Sequence, residues 1–297
     1  MRSTIVCGVD RSSHARAAAR LAGVLARRLG LGLQLVHVVD SDARPASGGG
    51  IAALQAVMRE NLDLSGAAVQ LKTGVISDVL AEAGHGAALL VIGTRGEGAL
   101  RQALLGSVAA QLTRDPASPV VVVPPGATST DSPLEGRTIV CGVKDERDSA
   151  PAHAAARMAA DLGLTLTLAH VLGVPAIPVS AAGAVAASTL RPTAAEFEAA
   201  MHTLESIARS IRTSIPPNIE LEVLDGPPGT QLDHLAAARG AAMLAVGACD
   251  QGPLAGALAG APPRHLMRHG ARPVLVCPGP HRRAQPPSPA RATASMA

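Results

Sequence analysis

The chain repeats itself. Residues 4–10 read TIVCGVD and residues 138–144 read TIVCGVK, and the likeness continues at matched points downstream. Cys7 and Cys141 are 134 positions apart, His37 and His170 are 133 apart, and Gly93 and Gly247, like Pro119 and Pro273, are 154 apart. Two copies of one burial pattern fold as two like units, so the repeat constrains the architecture more than any other feature. The offset grows by about 20 between the second strand of a copy and its fourth, which places an insertion near residues 173–195, where Pro and Gly cluster. The expected organisation is a first domain over 1–125, a connector over 126–136, a second domain over 137–280 and a Pro/Ala/Ser-rich end over 281–297 that should be disordered.

Within the first copy, residues 4–9 form a short β-branched run. A helix follows, with Ser12 or Ser13 as its N-cap and Leu21, Leu25 and Leu29 recurring on one face. The pattern then predicts strands over 33–39, 69–73, 88–92 and 119–123, and helices over 51–63, 77–83 and 107–114. Strands alternating with helices imply an α/β fold with a parallel sheet covered by helices on both faces. The second copy repeats the order, and its Phe197, Met201, Leu204, Ala208 and Ile211 mark one face of an amphipathic helix. Residues 120–123 and 274–277, the last strand of each copy, are expected to pair and join the two copies.

Composition removes several function classes. Of the 297 residues 47% are apolar, enough to bury a core. The net charge of +3 is accounted for by Arg282, Arg283 and Arg291 in the C-terminal end, which leaves the body neutral. A neutral body with a single Phe/Tyr/Trp side chain, Phe197, lacks the basic face and stacking platforms of a nucleic-acid binder. Cys7, Cys141, Cys249 and Cys277 have no CxxC spacing and sit among Val and Ala, so they read as buried small residues in a reducing compartment. No signal-peptide core opens the chain, and the uncharged stretch 171–190 is broken by Gly and Pro, so no membrane span is expected and the chain is expected to be cytoplasmic.

After the fourth strand comes Val91-Ile92-Gly93-Thr94-Arg95-Gly96, and nine residues later Gly106-Ser107 opens a helix. Glycines at 93 and 96 permit positive φ and let backbone approach a ligand. Gly106-Ser107 places free N–H groups and a hydroxyl at a helix start, where the dipole favours anions. Such a loop beside the first strand lies at the topological switch point where nucleotides bind, with Asp10 placed to accept from a ribose hydroxyl. The competing reading is that Gly93, Gly96 and Gly106 are ordinary turn and packing glycines.

The spacing Gly-x2-Gly-x9-Gly-Ser after a strand, with GVD ending strand one and His37-Val38-Val39 ending strand two, resembles the universal stress protein family, and both halves share in the resemblance. It implies a Rossmann-like sheet of order 3-2-1-4-5 in each domain and, commonly, dimerisation through the last strand. It also implies an ATP site in the first domain: Gly8 and Asp10 beside ribose and base, Val38 and Ile92 against adenine, and Gly93, Gly96, Gly106, Ser107 and Val108 around ribose and phosphates. Arg95 either reaches a phosphate or is a solvated loop cation. Any Mg²⁺ would be held mostly by phosphates and water. The function so implied is nucleotide-dependent regulation in a stress response, through contacts with itself or with other proteins. A slow ATPase or nucleotidyl-transfer enzyme and a nucleotide-free scaffold are the alternatives.

The second copy departs from this pattern. Lys144 stands for Asp10, Asp250 for Gly96 and Ala261 for Ser107, and Pro262 and Pro263 follow with no N–H to offer. One competent site per chain is expected, unless Lys144 restores phosphate binding in a shifted pose. No Walker-type GxxxxGK(S/T) is present, so efficient hydrolysis is not expected and no catalytic residue is assigned. His265-x3-His269 has metal spacing but no zinc-protease Glu, and reads as cationic residues near a helix C-terminus. His37 and His170 read as hydrogen-bonded structural histidines. There is no GxSxG for a hydrolase, and GVDRSSH lacks the GxGxxG of a dehydrogenase.

Overall fold

The computed structural model describes residues 4–39, 64, 66–94, 105–129, 134–173, 192–215, 218–248 and 262–279. The first lobe runs β1 (Thr4–Gly8), α1 (Ser13–Leu29), β2 (Gly32–Val39), β3 (Ala68–Thr73), α2 (Ile76–His85), β4 (Leu89–Gly93), α3 (Ser107–Leu112) and β5 (Val120–Val123). The second runs β6 (Thr138–Val143), α4 (Ser149–Leu162), β7 (Thr165–Leu172), α5 (Ala194–Arg212), β8 (Ile219–Asp225), α6 (Pro228–Ala238), β9 (Ala241–Gly247), α7 (Pro262–His269) and β10 (Val274–Cys277). Expected strands and helices recur within a few residues of their predicted bounds. The helix expected over 51–63, the insertion and the C-terminal end lie outside the described residues.

All ten described strands belong to one sheet of order β3-β2-β1-β4-β5-β10-β9-β6-β7-β8. Each half has the order 3-2-1-4-5, and every pairing within a half is parallel. The halves meet where β5 and β10 pair antiparallel, Val274 opposite Val122 and Val276 opposite Val120. This is the join expected from the sequence, and it makes a single sheet from two. The Val-Val-Val-Val run of β5 is buried throughout, as a strand covered on both faces must be.

Two apolar layers sandwich the sheet. On one face Leu21 and Leu25 of α1, Ala155 and Ala159 of α4, and Leu204 and Ile211 of α5 pack onto Ile5, Leu35, Ile139 and Leu168. On the other, Leu80 of α2, Leu112 of α3, Leu232 of α6 and Leu266 of α7 pack onto Val6, Ile92, Val140 and Val246. The connector does not stand off from the lobes. Ala127 and Leu134 are buried, and a Cβ at Gly126 would come within 2.9 Å of Ala271 Cα in the second lobe. Cys7, Cys141 and Cys277 are buried free thiols, as expected of small core residues, and Cys249 lies outside the described residues. Burial pushes the Cys277 thiol up to about 12, and Cys7 and Cys141 rise for the same reason. No described helix is long and apolar enough to cross a membrane.

Candidate functional site

The strand order sets the carboxyl ends of β1, β2 and β4 side by side, with Gly8 opposite Val36 and Cys7 opposite Val91. From β1 the chain moves outward to β2 and β3 and then returns to β4 on the other side, so the crevice beyond β1 and β4 is the switch point. Val9 N–H donates to the Val36 carbonyl at 2.9 Å, and the Val9 carbonyl accepts from His37 Nδ1 at 2.8 Å. A carbonyl can only accept, so Nδ1 carries the proton and His37 is the hydrogen-bonded structural histidine expected.

Asp10 follows in the β1–α1 turn. Its Oδ1 accepts the Ser12 N–H at 2.8 Å, and Ser12 Oγ in turn accepts the Ala15 N–H at 3.1 Å and caps α1. The residue expected at the ribose therefore also shapes the turn that starts the helix. Val38 and Ile92 are 9% and 4% exposed and pack with Leu80 in the layer under α2 and α3. A Cβ at Gly8 would stand 3.0 Å from Leu80 Cδ1, which explains the glycine by packing.

Gly93 ends β4 without using the positive φ that a glycine permits, since the described glycines with positive φ are Gly30, Gly66, Gly74, Gly136, Gly163, Gly226 and Gly240. A Cβ at Gly93 would lie 2.8 Å from both the carbonyl carbon and the Cβ of His14, so the first turn of α1 requires a glycine there. Next, the Thr94 N–H and Oγ1 both donate to the Val123 carbonyl, at 3.2 and 3.3 Å. Gly106 N–H donates to the Thr94 carbonyl at 2.9 Å. Thr94, 2% exposed, thus pins the start of α3 to the ends of β4 and β5, a role the glycine pattern did not reveal. Gly106 is the N-cap of α3 with no side-chain cap among the described residues, and Ser107 is exposed beside half-buried Val108. Arg95 and Gly96 lie outside the described residues.

The second lobe reproduces the framework and changes the contents. A Cβ at Gly142 would meet Leu232 Cδ1 at 2.8 Å and Val246 Cγ1 at 3.6 Å, the same stacking that Leu80 and Ile92 give at Gly8. At Gly247, however, the nearest atom is a carboxylate oxygen: Asp148 Oδ1 lies 3.1 Å from where a Cβ would stand, while Oδ2 accepts the Lys144 N–H at 2.7 Å. Asp148 thus spans the ends of β6 and β9. Burial raises its pKa above the ordinary carboxylate value, and the N–H groups of Lys144 and Asp145 pull it back down. Sequence reading missed Asp148, although it stands 134 positions after His14, the same offset that relates Cys7 to Cys141. The 3-10 turn Glu146–Asp148 folds it back toward Lys144.

His170 corrects an expectation. Unlike His37 it is not hydrogen-bonded at Nδ1, which is buried with no partner among the described residues. Burial lowers its pKa, with Asp145 and Asp148 opposing. Asp250 and Ala261 lie outside the described residues, and Pro262 begins α7. His265 and His269 put their ring centroids 5.3 Å apart near the end of α7, and no group of three metal-ligating side chains forms among the described residues.

The chain matches the model of the universal stress protein family twice, over residues 1–124 and 136–278. A search of curated proteins finds no match. Among solved structures it is similar to a universal stress protein from Archaeoglobus fulgidus DSM 4304, at 15% identity over 93% of this chain and 98% of that one, with a TM-score of 0.63. It is also similar to a functionally unknown protein from Pseudomonas aeruginosa PAO1, at 18% identity over 94% of this chain and 93% of that one, with a TM-score of 0.58. At these identities the likeness shows the fold. A single-lobe match, at 22% identity over 49% of this chain and 98% of the other and a TM-score of 0.37, is a universal stress protein in complex with cAMP. With family matches covering both lobes and ten strands in the doubled 3-2-1-4-5 order, this chain belongs to the universal stress protein family, as a tandem two-domain member.

Proposed function

We propose that the first lobe binds one adenine nucleotide, ATP, in the crevice beyond β1 and β4, and that the bound nucleotide regulates contacts of the protein in a cytoplasmic stress response. In this reading Gly8, Asp10, Val38 and Ile92 border the base and ribose. Gly93, Arg95, Gly96, Gly106, Ser107 and Val108 surround the phosphates, and Mg²⁺ is held by phosphate and water oxygens. The observation that carries it is the start of α3. Gly106 is tied by its own N–H to Thr94 at the end of β4, and among the described residues no side chain caps the amides that follow, which leaves them available as donors to an anion.

The second lobe offers the opposite field. A carboxylate about 5 Å from a phosphate charge costs about 3 kcal/mol at an effective dielectric of 20, more than a hundredfold in affinity. Asp148 sits in that crevice with one oxygen against Gly247. The nucleotide is a regulator rather than a substrate, because residues 93–108 contain no lysine to draw charge off a terminal phosphate.

Native mass spectrometry of the purified protein, followed by calorimetric titration with ATP, tests this. One nucleotide per chain is expected, with binding abolished by Gly106→Asp and ADP release no faster than the buffer background. Two nucleotides per chain, or binding that survives Gly106→Asp, refutes the assignment.

A further inference from the structure

The second lobe ends the sheet on a long edge. β8 spans seven residues, Ile219–Asp225, and among the described residues pairs on one side only, with β7, in an unbroken register from Leu166 opposite Ile219 to Leu172 opposite Asp225. Natural edges are guarded by free charges, proline or a bulge. This one has neither proline nor bulge, and its two central charges are engaged: Arg239 bridges Glu220 at 2.8 Å and also Glu222.

On the other face of the strand, α5 packs over β7 and β8. A cleft of about 480 Å³ lies between them, lined by Glu205, Ala208, Arg209, Arg212, Thr213 and Leu221. Its one sheet residue, Leu221, belongs to the outermost strand, so the cleft lies at the edge of the sheet. Arg209 and Arg212 stand one turn apart in it and make no ion pair or hydrogen bond among the described residues. Against the single Glu205 they leave the cleft cationic, with an apolar floor of Ala208 and Leu221.

We propose that β8 is a docking edge for an extended acidic segment of a partner protein, which adds as an eleventh strand and sets its carboxylates against Arg209 and Arg212. The inference is independent of the nucleotide reading. Charge selects this occupant over others. Antiparallel pairing of β8 with β8 of a second copy keeps both α5 helices on the same face and brings like charges together. Residues 174–191 and 281–297 of this chain contain no Asp or Glu with which to answer the arginines.

The test uses the full-length protein and a fluorescein-labelled nine-residue peptide of alternating Glu and Val, read by fluorescence anisotropy. Saturable binding is expected, weakened about tenfold or more in the Arg209→Ala/Arg212→Ala double variant. Binding should also be lost for the same peptide with Lys in place of Glu, and for one with alternate amides N-methylated so that they cannot pair. Hydrogen exchange in the unmodified protein provides a readout free of folding defects: the Glu-Val peptide should slow exchange in 219–225, and the Lys-Val peptide should not. Absence of binding, equal binding of the Lys or N-methylated peptide, or unchanged exchange in β8 overturns the proposal.

Discussion

His37 and His170 occupy matching places at the ends of β2 and β7 and differ in one hydrogen bond. Their spacing in the sequence marks them as counterparts. It cannot say that one ring finds a carbonyl while the other keeps its Nδ1 buried with no partner among the described residues, because that depends on the turn packed against each. The difference has a pH consequence. Burial holds the His170 pKa below its ordinary 6.5, so as pH falls through that value the unfolded chain takes up a proton that the folded lobe resists. Stability should therefore fall with pH below about 6.5, until the folded pKa is passed. The charged groups acting on the ring, Asp145 and Asp148, moderate the effect, and Asp148, with its raised pKa, pushes stability the other way at more acid pH. Thermal unfolding between pH 7.5 and 5 should show a decline in midpoint that is shallower in His170→Gln; equal slopes in the two proteins would contradict this account. Gly93 gives the complementary lesson. It was singled out for ligand approach and φ freedom, yet the demand for glycine comes from His14 on a helix packed across it.

The elements follow local rules closely enough that most were legible in advance. Ser12 rather than Ser13 caps α1, and Gly30 closes it at φ 63°, with its N–H donating to the carbonyls of Ala26 and Arg27. α5 begins in a capping box: Thr193 Oγ1 accepts the Glu196 N–H while Glu196 accepts the Thr193 N–H. Thr193→Ala should cost about 1 kcal/mol, and up to about 2, seen as a lower urea midpoint with unchanged slope. A change below a few tenths would mean the box is frayed in solution. α3 stops at Leu112, short of the expected 114, and Thr113 Oγ1 donates back to the Ala109 carbonyl as the helix ends. Of the stripe expected on α5, Leu204, Ala208 and Ile211 are buried, Met201 is half-buried, and Phe197, at the first turn, is 38% exposed. Periodicity identifies a face; how far the sheet extends beneath it decides which residues on that face are covered.

At the scale of the molecule, β5 and β10 make one body of two lobes. α1 packs against α4 across the join, and one continuous core layer contains residues from both halves. A first lobe expressed alone as residues 1–129 would leave the edge of β5 unpaired. It should dimerise through Val120–Val123, as size-exclusion chromatography with light scattering would show, and a monomer at high concentration would contradict this. The sequence by itself determined the duplication, the alternation of strands and helices and most of the core stripes, because the first is written in motifs that recur at a matched offset and the others in periodicities only a few residues long. The tertiary structure alone decided that the pairing of β5 with β10 is antiparallel, that Asp148 folds back against Gly247 and Lys144, and that Arg209 and Arg212 stand beside the outermost strand of the second lobe. Those outcomes turn on which surfaces meet across the finished fold, and on which charges are then buried, paired or left facing solvent.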